Sequence, residues 1–196
     1  MLGYGDGCLV VLGWEDSAGE VAPRRKAAAR LLRRAGLLPI GRGPGESWAR
    51  GRFAGPYLRD DLLDRGVLVE TLETAAPWGS LEQVRDAVGA ALRGALGRVI
   101  VGCHVSHLYP TGASLYFTAL AAQDADDPRG QWLRAKAAAG DALVASGATI
   151  THHHAVGRDH APWLEAEVGG FGVELLRALK ERCDPAGVMN PGVLGL

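Results

Sequence analysis

Apolar and polar positions divide the chain into strand-length and helix-length segments. The run GCLVVLGWE, residues 7–15, is continuously apolar over the length of a buried strand. Ser17 and Glu20 then stand at capping-box spacing. Pro23 argues for a helix whose regular part starts there, because proline suits a first turn. RRKAAARLLRRAG carries that helix to a stop at Gly36. LLPIGRG reads as strand or loop, and PGESWARGRF as a short helix with Pro44 near its start. GVLVETLET, residues 66–74, is rich in β-branched residues and reads as a strand. Ser80 and Gln83 form a second capping box, ahead of a helical stripe of Val84, Val88, Ala91, Leu92 and Ala95. GRVIVGCHVSH and GASLYFTAL read as two strands joined by a turn at Pro110, Thr111 and Gly112. A helix from about Pro128 to Ser146 follows, then Gly147, then a strand through ATITHHHAVG, residues 148–157. The last helix carries Phe171, Leu175 and Leu179 at i, i+4 and i+8 and ends at Asp184-Pro185. Hairpins mixed with helical crossovers predict an α+β fold: an antiparallel or mixed sheet with flanking helices. No repeat and no low-complexity linker interrupts it.

Bulk composition narrows the classes. A chain of 196 residues makes one domain or two small ones. With 47% hydrophobic and 22% charged residues it is globular, and a formal charge of −1 gives no basic field for nucleic acid. Three widely spaced cysteines, Cys8, Cys103 and Cys183, argue against a disulfide framework and, with no CxxC, against a cysteine zinc site. They suit a reducing compartment, so a cytoplasmic location is expected. The apolar runs are too short to span a membrane, and the first residues lack the basic region of a signal peptide.

Several side chains carry candidate chemistry. Lys26, Arg30, Arg33 and Arg34 share one helix face, with Ala27, Leu31 and Ala35 on another. Such a helix can lie on an anionic membrane, although ordinary solvated helices show the same pattern. GRGPG fits neither common phosphate-loop spacing and reads as a turn. Arg59, in GPYLRDDLL, has the planar fork that clamps a phosphate or carboxylate, or is a surface arginine. Ala113, Leu115, Phe117 and Ala119 alternate onto one strand face, leaving Ser114, Tyr116 and Thr118 on the other. Tyr116 is thus either a half-buried structural tyrosine or an acid–base group with a lowered pKa. His104 and His107, three apart in a strand, should point to opposite faces. If the strand at 148–157 is regular, His152 and His154 share a face and His153 takes the other. That alternation, with no carboxylate nearby, argues against a metal site.

The segments YLRD, VLVETLETAAPW, CHVSHLYPTGASLYF, THHHAVGRDHAPWLEAEVG and ALKERCDPAGVMNPGVL occur in one order. This series resembles the C-terminal part of alkyldihydroxyacetonephosphate synthase and its bacterial FAD-linked oxidase relatives, from about residue 7 to the end. The resemblance implies a cap domain of residues 1–196, with an antiparallel sheet and flanking helices, that covers a flavin. The FAD itself would be held by an N-terminal FAD-binding domain with no counterpart here, so the chain alone is expected to be inactive and not to bind FAD tightly. The family's essential tyrosine matches Tyr116, its active-site histidines match His152, His153 and His154, and its anion-binding arginine matches Arg59. His153, His154 and Asn190, in the MNPG ending, are implied to face the cofactor. His104 stands where eukaryotic synthases carry arginine and is implied to face substrate.

The implied reaction replaces the acyl group of acyl-dihydroxyacetone phosphate with a fatty alcohol, in ether-lipid synthesis, with no net electron flow. Tyr116 would move a proton next to the ketone, with a histidine, His153, assisting; an imidazole titrates near 6.5 when unperturbed. The expected partners are the FAD-binding domain and a lipid-like phosphate substrate; homodimerisation and peripheral membrane contact stay open. A rival reading is the cap of an FAD-linked oxidoreductase acting on a hydroxy acid or phenol. The metal-dependent hydroxyacid dehydrogenases resemble this cap and carry HxGDGNxH and GEHG signatures. Here Tyr116 replaces their second histidine and His153 their glutamate, so no metal is expected. A third reading, of another class, is a non-catalytic binding module.

Overall fold

The computed structural model describes residues 7–196. They fall into two units, one ending at Leu58 and one running from Arg59 to Leu196.

The first unit is helical. Helix α1 spans Ala18–Arg34 and α2 spans Gly43–Gly51, and neither has a buried residue. Helix α3, Gly55–Leu63, crosses the unit boundary. Residues 7–15 do not form the expected strand. Their backbone has no ladder partner among the described residues, and Leu9 is 64% exposed. Pro23 lies inside α1 rather than at its start. Its φ is already helical, and it removes a single i→i−4 bond. Neither expected capping box forms: the Ser17 and Ser80 side chains make no capping bond, and Ser80 Oγ donates instead to the Pro77 carbonyl at 3.3 Å.

In the second unit β1, Val67–Pro77, leads through α4, Leu81–Leu96, to β2, Val99–Leu108, which turns back into β3, Gly112–Ala122. The three strands lie in the order β1-β3-β2, antiparallel throughout, so the fold is α+β as expected. Helix α5, Pro128–Ala145, starts with Pro128 behind a working cap: Asp127 Oδ1 accepts from the Gly130 amide at 2.8 Å. Helix α6, Leu164–Cys183, ends where Asp184-Pro185 predicts.

One face of the sheet is the core side. Leu72, Leu115, Phe117 and Ala119 pack against Val84, Val88 and Leu92 of α4 and Ala135, Ala139 and Leu143 of α5. Burying Phe117 alone stabilises the unit by about 1.5–3 kcal/mol. Glu70 is also buried on this side, where the indole N–H of Trp132 and the ammonium of Lys136 donate to its carboxylate. The opposite face carries Thr71, Tyr116, Thr118 and His104, half-buried or exposed.

The segment 148–157 corrects a further expectation. It is a loop, with Ala155 in the left-handed region, and not a strand. Only one ladder-like bond joins it to the sheet edge, Thr149 N–H to the Ala75 carbonyl at 3.3 Å. The amides of Ile150, His152, His153 and His154 go to carboxylates instead, which destroys the alternation of faces expected for the histidines. The last expected stripe, Phe171, Leu175 and Leu179, lies on α6 but is exposed.

Candidate functional site

The open sheet face supplies the floor. Strand register sets Glu73, Tyr116 and His104 side by side across β1, β3 and β2. Period-two alternation brings all three to the face away from Phe117 and Leu72.

Two carboxylates clamp the histidine loop over this row. Glu167, in the first turn of α6, accepts from Thr149 Oγ1 at 2.6 Å and from the Ile150 amide at 3.0 Å. Glu73 Oε1 accepts from Thr151 Oγ1 at 2.6 Å and from three successive amides, His152 at 2.7 Å and His153 and His154 at 2.8 Å. Glu73 is 2% exposed. Burial pushes its carboxyl up, but the Thr151 hydroxyl and the amides of His154, His153 and His152 outweigh it and hold the group at about 2. A buried acceptor thus turns three backbones inward and lets three imidazoles fan out over the sheet.

The rings converge on two tyrosines. The Tyr116 hydroxyl is hydrogen-bonded to His153 Nε2 and lies 3.4 Å from His154 Nε2. The Tyr109 hydroxyl is 3.2 Å from His152 Nε2, and His152 and His153 meet through their Nδ1 atoms at 2.9 Å. Burial first, and the nearby Glu73 charge second, raise the Tyr116 pKa. This reverses the expected lowering: Tyr116 keeps its proton at neutral pH.

His107 joins the cluster through a β-bulge. The β2–β3 register slips between Ser106 and Leu108, and His107 takes a left-handed φ of 43°. The extra residue turns its ring onto the face of Tyr116 and His104, correcting the expectation that His104 and His107 point apart. Its centroid is 4.9 Å from that of His153. Ser114 Oγ donates to the Ser106 carbonyl at 2.9 Å, so at 3.1 Å it accepts from His107 Nδ1–H. That fixes the tautomer of His107 and leaves its Nε2 as a lone pair.

His107, His152 and His153 offer ring nitrogens within 4.8 Å of one another, a spacing compatible with a metal ion. Their protein bonds compete for most of those lone pairs. The grounds for expecting no metal nevertheless change: the faces do not alternate, and a carboxylate, Glu73, stands 3.7–3.8 Å from two of the rings.

His154 and Asn190 line one cleft of about 640 Å³, with Arg158, Gly157, His160 and Lys136 among its walls. Asn190 sits there in a left-handed turn, φ 46°, and Arg158 Nη2 donates to the neighbouring Pro191 carbonyl at 2.5 Å. Burial chiefly, with Lys136, lowers the His160 pKa. His153 lies over Tyr116 and is not among the residues lining this cleft. Arg59 is exposed on α3 and makes no hydrogen bond or ion pair to the cluster among the described residues. Tyr116, His104 and the three loop histidines are therefore brought together, and Arg59 has no direct bond to them among the described residues.

Sequence reasoning missed Glu73 and Tyr109, placed Ser114 only as a neighbour of Tyr116 on its strand face, and misplaced His107. The parity of Glu73 with Tyr116 across paired strands is the one signal that points to it.

Comparison with known proteins places this geometry in a family. Residues 8–194 match the family model of FAD linked oxidases, C-terminal domain, and the chain belongs to that family. It is 30% identical over 188 residues to an alkyldihydroxyacetonephosphate synthase of Dictyostelium discoideum, covering 94% of this chain and 31% of that protein. It is 24% identical over 161 residues to an uncharacterized FAD-linked oxidoreductase of Escherichia coli (strain K12), covering 76% of this chain and 33% of that protein. A solved alkyldihydroxyacetonephosphate synthase structure superposes with a TM-score of 0.55 at 24% identity, over 89% of this chain and 28% of that one, and supports the fold. The chain spans about a third of the length of these relatives.

Proposed function

We propose that this chain is the catalytic cap of an FAD-dependent enzyme resembling alkyldihydroxyacetonephosphate synthase. In that reaction the acyl-bearing C–O bond at the carbon next to the ketone breaks and the fatty acid leaves. A fatty alcohol then forms the ether bond there and gives up its hydroxyl proton, so atoms balance with no net oxidation. The observation that carries the reading is the Tyr116–His153–His154 cluster, held over an open polar sheet face by buried Glu73.

The cleft lined by His154, Asn190 and Arg158 has a volume in the range of cofactor pockets and polar groups on its walls, so these residues fit an edge of the flavin. A flavin bound there would supply the electron-pair chemistry at the substrate carbon that exchange of the acid for the alcohol needs. The chain's own residues manage protons. A proton leaves the substrate carbon beside the ketone and is later restored to it. Tyr116, protonated at rest, passes its own proton to His153 Nε2 and so becomes able to take the substrate's. His154, at the other side of the hydroxyl, lies between this pair and the cleft. Arg59 pairs with the substrate phosphate, and His104 lies beside Tyr116 on the substrate side.

The test is Tyr116→Phe in the flavin-containing full-length enzyme, assayed for acyl-to-alkyl exchange. The ring keeps its place on the sheet, so flavin absorbance and circular dichroism should be unchanged. Turnover should fall by at least ~10²-fold, the smaller end of what acid–base groups contribute. Near-normal exchange would remove Tyr116 from the mechanism. Turnover of a hydroxy acid or phenol that reduces an electron acceptor would favour the oxidoreductase reading.

A further inference from the structure

Only half of the Glu73 carboxylate is used in holding the loop. Oε1 accepts from the Thr151 hydroxyl and three amides, whereas Oε2 is buried with no hydrogen-bond partner among the described residues. Oε2 lies 3.8 Å from His152 Nδ1 and 3.7 Å from His153 Nδ1, and those nitrogens are 2.9 Å apart. Two ring nitrogens that close need a proton between them, because facing lone pairs repel. The far ends of both rings meet phenols, His153 at Tyr116 and His152 at Tyr109. His107 and His154 flank His153, with centroids 4.9 and 5.1 Å away. Among the described residues Glu73 is the one carboxylate within ion-pairing distance of these rings.

We propose that Glu73 is a positioning residue that keeps a proton on His153 Nδ1 and so aims the His153 Nε2 lone pair at the Tyr116 hydroxyl. The chain of donors then has a direction. Tyr116 O–H donates to His153 Nε2, His153 Nδ1–H to His152 Nδ1, and His152 Nε2–H to the Tyr109 oxygen. When Tyr116 passes its proton to His153, the resulting imidazolium forms beside a buried negative charge. Glu73 touches neither substrate nor flavin and acts through the histidine. The inference rests on the reading of Tyr116 and His153 as the proton-transfer pair, but its first test does not.

That test reads the tautomers directly, by long-range ¹H–¹⁵N correlation on the 196-residue chain labelled at histidine. His153 should carry its proton on Nδ1. In Glu73→Gln the amide oxygen can still accept from the loop, which puts the NH₂ group where Oε2 was. A donor then faces the Nδ1 atoms, and His153 should switch to the Nε2–H form. Glu73→Asp keeps the charge and should keep the Nδ1–H form. In the flavin-containing enzyme Glu73→Gln should lower kcat by at least ~10²-fold, with the aspartate variant recovering part of the loss. An Nε2–H His153 in the parent chain, or a tautomer unmoved by Glu73→Gln, overturns the proposal even if turnover is lost. If Glu73→Gln does not fold, the parent chain and Glu73→Asp decide by the same signal: Nε2–H in either one overturns it. A tautomer switch combined with an active Tyr116→Phe enzyme would leave this inference standing and sink the proposed reaction.

Discussion

The depressed pKa of Glu73 makes the histidine loop an acid-labile part of the fold. The carboxyl sits at about 2 in the folded chain against 4.5 for an ordinary glutamate, because the Thr151 and amide hydrogen bonds outweigh burial. Each unit is worth about 1.4 kcal/mol, so ionised Glu73 contributes about 3 kcal/mol of stability. The folded value lies below the unfolded one. The contribution is therefore full above pH 4.5 and is lost as pH falls through about 2. The comparison is between the parent chain and Glu73→Gln, which has nothing to titrate at that position. Asp184, whose pKa is also lowered, chiefly by its hydrogen bond from Lys180, is present in both and cancels. Urea unfolding followed by tryptophan fluorescence at pH 5 and pH 2 should show the parent losing about 3 kcal/mol relative to the variant. With urea slopes of about 1–3 kcal/mol per molar, the difference in midpoints should move by about 1–3 M. An unchanged difference at the two pH values would refute the claim that Glu73 is ionised and held by the loop.

Other consequences are as direct. Gly112→Ala should destabilise the sheet by about 1–3 kcal/mol or prevent folding, because a Cβ there would stand 2.2 Å from the Ala76 carbonyl oxygen; thermal denaturation reads it. Arg59→Lys in the flavin-containing enzyme should raise KM more than it lowers kcat, since a point charge replaces a bidentate fork. Protein prepared without a histidine tag should hold less than one equivalent of zinc or manganese after dialysis; a full equivalent at His107, His152 and His153 would overturn the metal-free reading.

Where burial depends on local period, the sequence was readable. Val84, Val88 and Leu92 form a helical stripe and are fully buried, and Leu115 and Phe117 alternate with Tyr116 as a two-faced strand requires. Where an element depends on a partner, pattern misled. The apolar run at 7–15 has the composition of a strand but no neighbour among the described residues to pair with. The stripe of Phe171, Leu175 and Leu179 has helical spacing yet stays exposed, because amphipathicity states what a helix can bury and not what meets it.

The site divides along the same line. Tyr116 was legible because alternation alone takes it off the core face. The three histidines were legible as residues but not as a geometry, since their arrangement is imposed from elsewhere. A regular strand at this sheet edge would have spent alternate amides of the run on a ladder and split the three rings between two faces. Glu73 takes the amides of His152, His153 and His154 itself, from 79 to 81 residues away along the chain. In VLVETLET a glutamate looks like one more solvent-facing position, and nothing local shows that its carboxylate is buried. Once it is, the charge must be compensated, and three consecutive amides with a threonine hydroxyl do so at one oxygen. The other oxygen is left facing the rings. The group that organises the loop is thereby the group that biases its protons, and loop anchoring and proton placement should fail separately only when charge and hydrogen bonding are separated, as Glu73→Gln does.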